Sequence, residues 1–160
     1  MGNTKINQNR NVQPNDKTQF RFKEVNGSHP LKKRVPEAVV EYQVRTRKGG
    51  EVAFFNFDLA REIGLIPENH PNEFTKELKD EILHAFSIVI INEYDLMNNF
   101  NFPKEEIRPN TYMATRYHQL QHPCKKGTTS GDGRSIWNGQ ITNKGKTFDI
   151  SSCGTGATKL

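Results

Sequence analysis

The chain has 160 residues, of which 33% are hydrophobic, with a mean hydropathy of −0.80; this is one domain's length with a lean core share. No apolar run approaches the roughly 18 residues of a membrane-spanning helix. The longest is Ile88-Val89-Ile90-Ile91, so no membrane partner is expected.

Lys and Arg outnumber Asp and Glu by 23 to 18, a net charge of +5. The excess gathers early: residues 1–35 hold eight basic side chains against two acidic ones. A basic arm can hold phosphates or nucleic acid. Here no nucleic-acid motif occurs, so a nucleic-acid-binding module is only an alternative reading. Residues 1–30 are read as a solvated, disordered leader, because so polar a segment cannot offset its ordering entropy. The segment from Met1 to Ile6 carries no apolar stretch of a secretory signal. The two cysteines, Cys124 and Cys153, are therefore expected as free thiols in the cytoplasm.

In chain order, Val40, Tyr42 and Val44 alternate with polar residues, the period of a half-buried strand. Lys48-Gly49-Gly50 offers a turn, and Val52–Phe55 is expected as the returning strand. Asn56 is placed to cap a helix over Asp58–Ile63, with Gly64 as its left-handed end. Phe74, Leu78, Ile82, Leu83, Phe86, Val89 and Ile90 form a helical stripe. It predicts one long helix over Asn72–Met97, although the β-branched run 88–91 also suits a buried strand. Residues 98–130 contain Pro103, Pro109 and Pro123 and are expected to be irregular. A second hairpin follows: strand Ser135–Ile141, turn Thr142-Asn143-Lys144-Gly145, strand Lys146–Ser151.

Glycines flank that hairpin on both sides, Gly131-Asp132-Gly133 before it and Gly154-Thr155-Gly156 after it. Without a Cβ, a backbone can approach a phosphate and aim N–H groups at it. Arg134 adds a planar cationic fork suited to phosphate oxygens. A zinc site from His118, His122 and Cys124 is a weaker alternative, since Pro123 interrupts the helix that His-x3-His spacing would use. Cys153 itself is read as a buried structural cysteine.

The block Gly131-Asp132-Gly133-Arg134-Ser135, followed by strand, turn, strand and Cys153-Gly154-Thr155-Gly156-Ala157-Thr158, resembles the SelO/YdiU family. That family carries Gly-Asp-Gly-Arg-Ala, then a strand ending in Lys-Gly-Ser-Gly-Pro-Thr. Phe55-Asn56-Phe57-Asp58-Leu59-Ala60-Arg61-Glu62-Ile63-Gly64-Leu65 is similar to its Phe-Asn-x-x-Leu-Ala-x-x-Leu-Gly-Leu segment. Tyr117-His118-Gln119 matches a family Tyr-Ala-Gly-His-Gln stretch loosely. The likeness spans about residues 50–160.

The resemblance implies a protein-kinase-like fold, ATP with Mg2+ or Mn2+ as cofactors, and transfer of AMP to hydroxyl groups of protein substrates. It implies nucleotide contacts from Gly131, Gly133 and Arg134. It also marks a departure, since Cys153 stands where the family has a nucleotide-binding lysine. The catalytic acid and metal ligands of kinase-like folds come from a later lobe. The expectation is thus an α/β (α+β) kinase-like N-lobe over 31–160, with hairpins and a long helix, that binds ATP without catalysing alone. A non-catalytic pseudo-enzyme or interaction module is the other reading.

Overall fold

The computed structural model describes residues 19–115 and 135–155. Five strands, β1 (Val39–Thr46), β2 (Ile88–Ile90), β3 (Ile107–Thr115), β4 (Ser135–Asn143) and β5 (Lys146–Cys153), form one sheet in the order β2-β1-β3-β4-β5. Every pairing is antiparallel, and the sheet curls into a half-barrel. Four short helices accompany it: α1 (Leu31–Arg34), α2 (Phe57–Ile63), α3 (Lys76–Phe86) and α4 (Glu93–Met97). The expected mixed α/β class is observed.

Two apolar clusters hold these parts together. Tyr42, Val44, Ile88, Ile90, Tyr112, Ala114 and Ile136 pack together on one face of the sheet. Phe22 and Val25 join α2 (Ala60, Ile63), α3 (Leu78, Ile82, Ala85) and Ile141 in the second. Each large side chain buried this way contributes on the order of 1.5–3 kcal/mol before entropy is counted.

Local chemistry explains the elements that match expectation. The Asn56 side chain accepts the Leu59 N–H at 3.0 Å and caps α2. Gly64 ends the helix at φ 80° and its N–H returns to the last-turn carbonyls. In the β4–β5 hairpin, Asn143 pairs with Lys146. The two-residue loop has Lys144 at φ 48° and Gly145 at φ 78°, the positive pair that such a tight turn requires.

Four expectations are corrected. The helix over Asn72–Met97 is three elements. Thr75 Oγ1 accepts the Leu78 N–H at 3.0 Å and starts α3, which stops at Phe86. Ile88–Ile90 then pairs with Val44–Thr46 as β2. Consecutive β-branched residues lose side-chain freedom in a helix, and the strand lets Ile88 and Ile90 bury together. Asn92 and Asp95 form a reciprocal capping box that begins α4 afresh.

The hairpin expected over Val40–Phe55 does not form, because β2 and β3 occupy both edges of β1. Val52 and Phe55 pack instead against the helical cluster.

Within the segment expected to be irregular, β3 runs through Pro109. The β1–β3 register steps from Gln43↔Thr111 to Arg45↔Ile107, so three β3 residues face the single Val44. Pro109 sits in that bulge, where no ladder N–H is required.

The leader expected over 1–30 is folded from residue 19 onward in the described chain. Phe22 is 1% exposed in the core, and a 3-10 turn spans Phe22–Glu24. The chain then passes between β3 and β4, which share only the Met113↔Trp137 pair. Gly27 N–H donates to the Asn138 carbonyl at 2.7 Å, while Asn110 Nδ2 donates to the Asn26 carbonyl at 3.2 Å. A Cβ on Gly27 would lie 2.6 Å from the Thr111 carbonyl oxygen. The segment emerges on the side of the sheet opposite Phe148 and Ile150, where His29 Nε2 meets Asp149 Oδ1 at 3.1 Å. There Lys32 Nζ donates to the Thr111 carbonyl and lies 3.0 Å from Glu41.

Candidate functional site

The glycine segments expected to form the site adjoin, in sequence, the open end of the β4–β5 hairpin. Gly131, Gly133 and Arg134 lie outside the described residues, as do His118, His122, Cys124, Gly156 and Lys159. The residues that follow and precede the two glycine segments are described, and the register pairs them: Ser135 faces Cys153. By chain connectivity, Arg134 and Gly154 are therefore each bonded to a member of one cross-strand pair.

That end of the hairpin is set by a bulge. Trp137 pairs with Ser151, and Gly139 pairs with Ile150, leaving Asn138 as the extra residue on β4. Ile136 and Ile141 are five residues apart, which would put them on opposite faces of a regular strand. The bulge shifts the parity by one, and both are buried. Gly139 is at φ 147°, and a Cβ there would meet the Glu24 carbonyl oxygen at 3.0 Å. The Asn138 side chain is fully buried, and neither its Oδ1 nor its Nδ2 has a hydrogen-bond partner among the described residues.

Cys153 is exposed, which corrects the buried structural reading. Along β5 the side chains of Phe148, Ile150 and Ser152 are half-buried, while Thr147, Asp149, Ser151 and Cys153 are exposed. The thiol is 3.6 Å from Ser135 Oγ. Gly154 turns the chain at φ 76°, and a Cβ there would meet nothing within 4 Å among the described residues. Thr155, 4% exposed, then reaches across the half-barrel: its carbonyl accepts the Ile90 N–H of β2 at 2.9 Å.

Two polar clusters near the hairpin were not legible in the sequence, since their members lie far apart in the chain. His29 is buried. Its Nδ1 accepts the Leu31 N–H at 3.2 Å, so its Nε2 carries the proton that Asp149 accepts. Gln140 Nε2 also donates to Asp149 at 2.7 Å. The Gln140 bond does most to hold the Asp149 carboxyl below its ordinary range; desolvation opposes it, and His29 adds a further downward pull. Beside α1, Glu41 accepts from the Thr111 hydroxyl and from Lys32, and is lowered for the same kind of reason.

Among the described residues no group of three His, Cys, Asp or Glu side chains could hold a metal ion. Among the described residues, Gly154 at the hairpin end has nothing within 4 Å of where a Cβ would stand. Position 153 offers a thiol rather than the cation a triphosphate favours.

Comparisons with protein-family models, with curated proteins and with solved structures return no match.

Proposed function

We propose that this chain is the ATP-binding part of a protein adenylyltransferase with a kinase-like N-lobe. In this reading Gly131, Gly133 and Arg134 hold the nucleotide phosphates. One observation carries the reading: the Ser135↔Cys153 register attaches both glycine segments to the same end of one hairpin. Backbone N–H groups from two such segments can converge on one anion, with the Arg134 guanidinium neutralising its charge. ATP would bind with Mg2+ or Mn2+, and the transfer of AMP would be to hydroxyl groups of protein substrates. None of the described residues is given a catalytic role.

Calorimetry with ATP, with and without Mg2+ or Mn2+, tests this. Arg134→Ala should weaken binding about tenfold or more, the scale of a charge-assisted hydrogen bond. Unchanged affinity in that variant would remove Arg134 from the site.

A second reading, a non-catalytic nucleotide-binding protein, draws on Cys153. An exposed thiol 3.6 Å from the Ser135 hydroxyl cannot supply the fixed positive charge that positions a triphosphate for transfer. Binding of ATP without release of pyrophosphate would favour this reading.

A further inference from the structure

The residues after β5 do more than leave the sheet. β5 and β2 are its two opposite edges, yet the Ile90 N–H of β2 is bonded to the Thr155 carbonyl at 2.9 Å. Ile90 is 1% exposed and Thr155 4% exposed. A buried N–H left without an acceptor costs about 1–3 kcal/mol, so this bond satisfies a donor that β1 does not. The turn that makes it possible is Gly154, at φ 76°, a conformation that side-chain-bearing residues adopt at a cost. β2 itself is only three residues long, and Asn92, two residues beyond Ile90, caps α4. Leu96 and Met97 of α4 are 65% and 80% exposed.

We infer that Gly154-Thr155 is a closing strap that ties the open end of the β4–β5 hairpin to the β2 edge. When the strap lifts, the Ile90 amide loses its acceptor and the half-barrel opens between its first and last strands. The strap thereby links the hairpin end to β2 and to the exposed apolar side chains of α4. This inference stands on the described residues alone and does not depend on the nucleotide reading.

Amide hydrogen exchange on the full chain tests it, with Ile91 as the internal control. The Ile91 N–H is bonded to the Gln43 carbonyl of β1 at 2.8 Å, so it reports the β1–β2 side rather than the strap. Gly154→Ala strains the turn without a clash among the described residues, where the added Cβ meets nothing within 4 Å. It should speed exchange at Ile90 by about tenfold while leaving Ile91 unchanged. Gly154→Val should speed Ile90 further in the same pattern. Ile90 exchange that matches the wild type in both variants would overturn the strap. So would equal acceleration at Ile90 and Ile91, which would report loss of the sheet as a whole.

Discussion

Ser135 and Cys153 face each other across the β4–β5 hairpin, with Oγ and Sγ 3.6 Å apart. Ser135 follows one glycine segment and Cys153 precedes the other, so this pair is the hinge point of the proposed phosphate site. Because Cys153 is exposed, a longer side chain can be accommodated there without disturbing the core. Cys153→Lys should tighten ATP binding about tenfold, since a charge-assisted bond to phosphate is worth about 1.5–3 kcal/mol. The same affinity in wild type and C153K, by calorimetry, would place the phosphates away from this end of the hairpin.

Gly27 is held by geometry more tightly than any turn glycine on the surface. Its φ is 85°, and a Cβ would lie 2.6 Å from the Thr111 carbonyl oxygen and 2.7 Å from the Tyr112 ring. Gly145 has a similar φ of 78°, but nothing within 4 Å. Gly145→Ala should therefore cost only the left-handed strain, about 1–2 kcal/mol. Gly27→Ala should add overpacking of about 1–3 kcal/mol, because the chain there is confined between β3 and β4. Urea denaturation separates the two. Equal losses would show that the passage between the strands can widen freely.

Asn138 presents the reverse situation. Its amide is buried without a partner, a state that costs about 1–3 kcal/mol relative to a satisfied or apolar side chain. Asn138→Leu keeps the volume and removes the unsatisfied donors and acceptor. It should leave stability unchanged or raise it by about 1 kcal/mol, since the bulge is held by the Gly27 N–H on the Asn138 carbonyl. A clear loss of stability in thermal unfolding would show that the amide has a partner such as a bound water.

What was legible in the sequence had local causes. The Asn56 cap, the Gly64 stop and the Lys144-Gly145 turn each depend on residues within a few positions, and each is where expected. The long helix was misread because Phe74 to Ile90 keeps helical spacing across a strand. Only the pairing of Ile88–Ile90 with β1, more than 40 residues earlier in the chain, overrides that periodicity. The β3 strand was hidden by Pro109, whose cost vanishes inside a bulge that no single strand's sequence discloses. Phe20, Phe22 and Val25 were hidden in a polar, basic segment, although Phe22 and Val25 are core residues. At the candidate site, the glycine segments were visible as composition. Their attachment to one cross-strand pair needed the Trp137–Gly139 bulge, which sets the Ser135↔Cys153 register.

The acid response should come in two windows. His84 is held below its ordinary value first by desolvation and then by Arg108, whose Nη2 donates to the His84 carbonyl at 2.6 Å. A lowered folded pKa means the unfolded chain binds more protons. The contribution of His84 is therefore present above its ordinary 6.5 and lost as pH falls through the lower folded value. Asp149 and Glu41 act in the same direction at lower pH. Their stabilisation is present above their ordinary values of 3.8 and 4.5 and is lost as pH drops through their lowered ones. All three groups are partly exposed, so salt and solvent weaken each effect. Urea midpoints measured from pH 8 to pH 3 should fall first as the pH drops below 6.5 and again as it drops below 4.5. His84→Gln should flatten the upper step only, and Asp149→Asn with Glu41→Gln the lower one only. If the two carboxyl substitutions leave the lower step intact, the bonds from Gln140, His29, Thr111 and Lys32 do not set the acid limit of this fold.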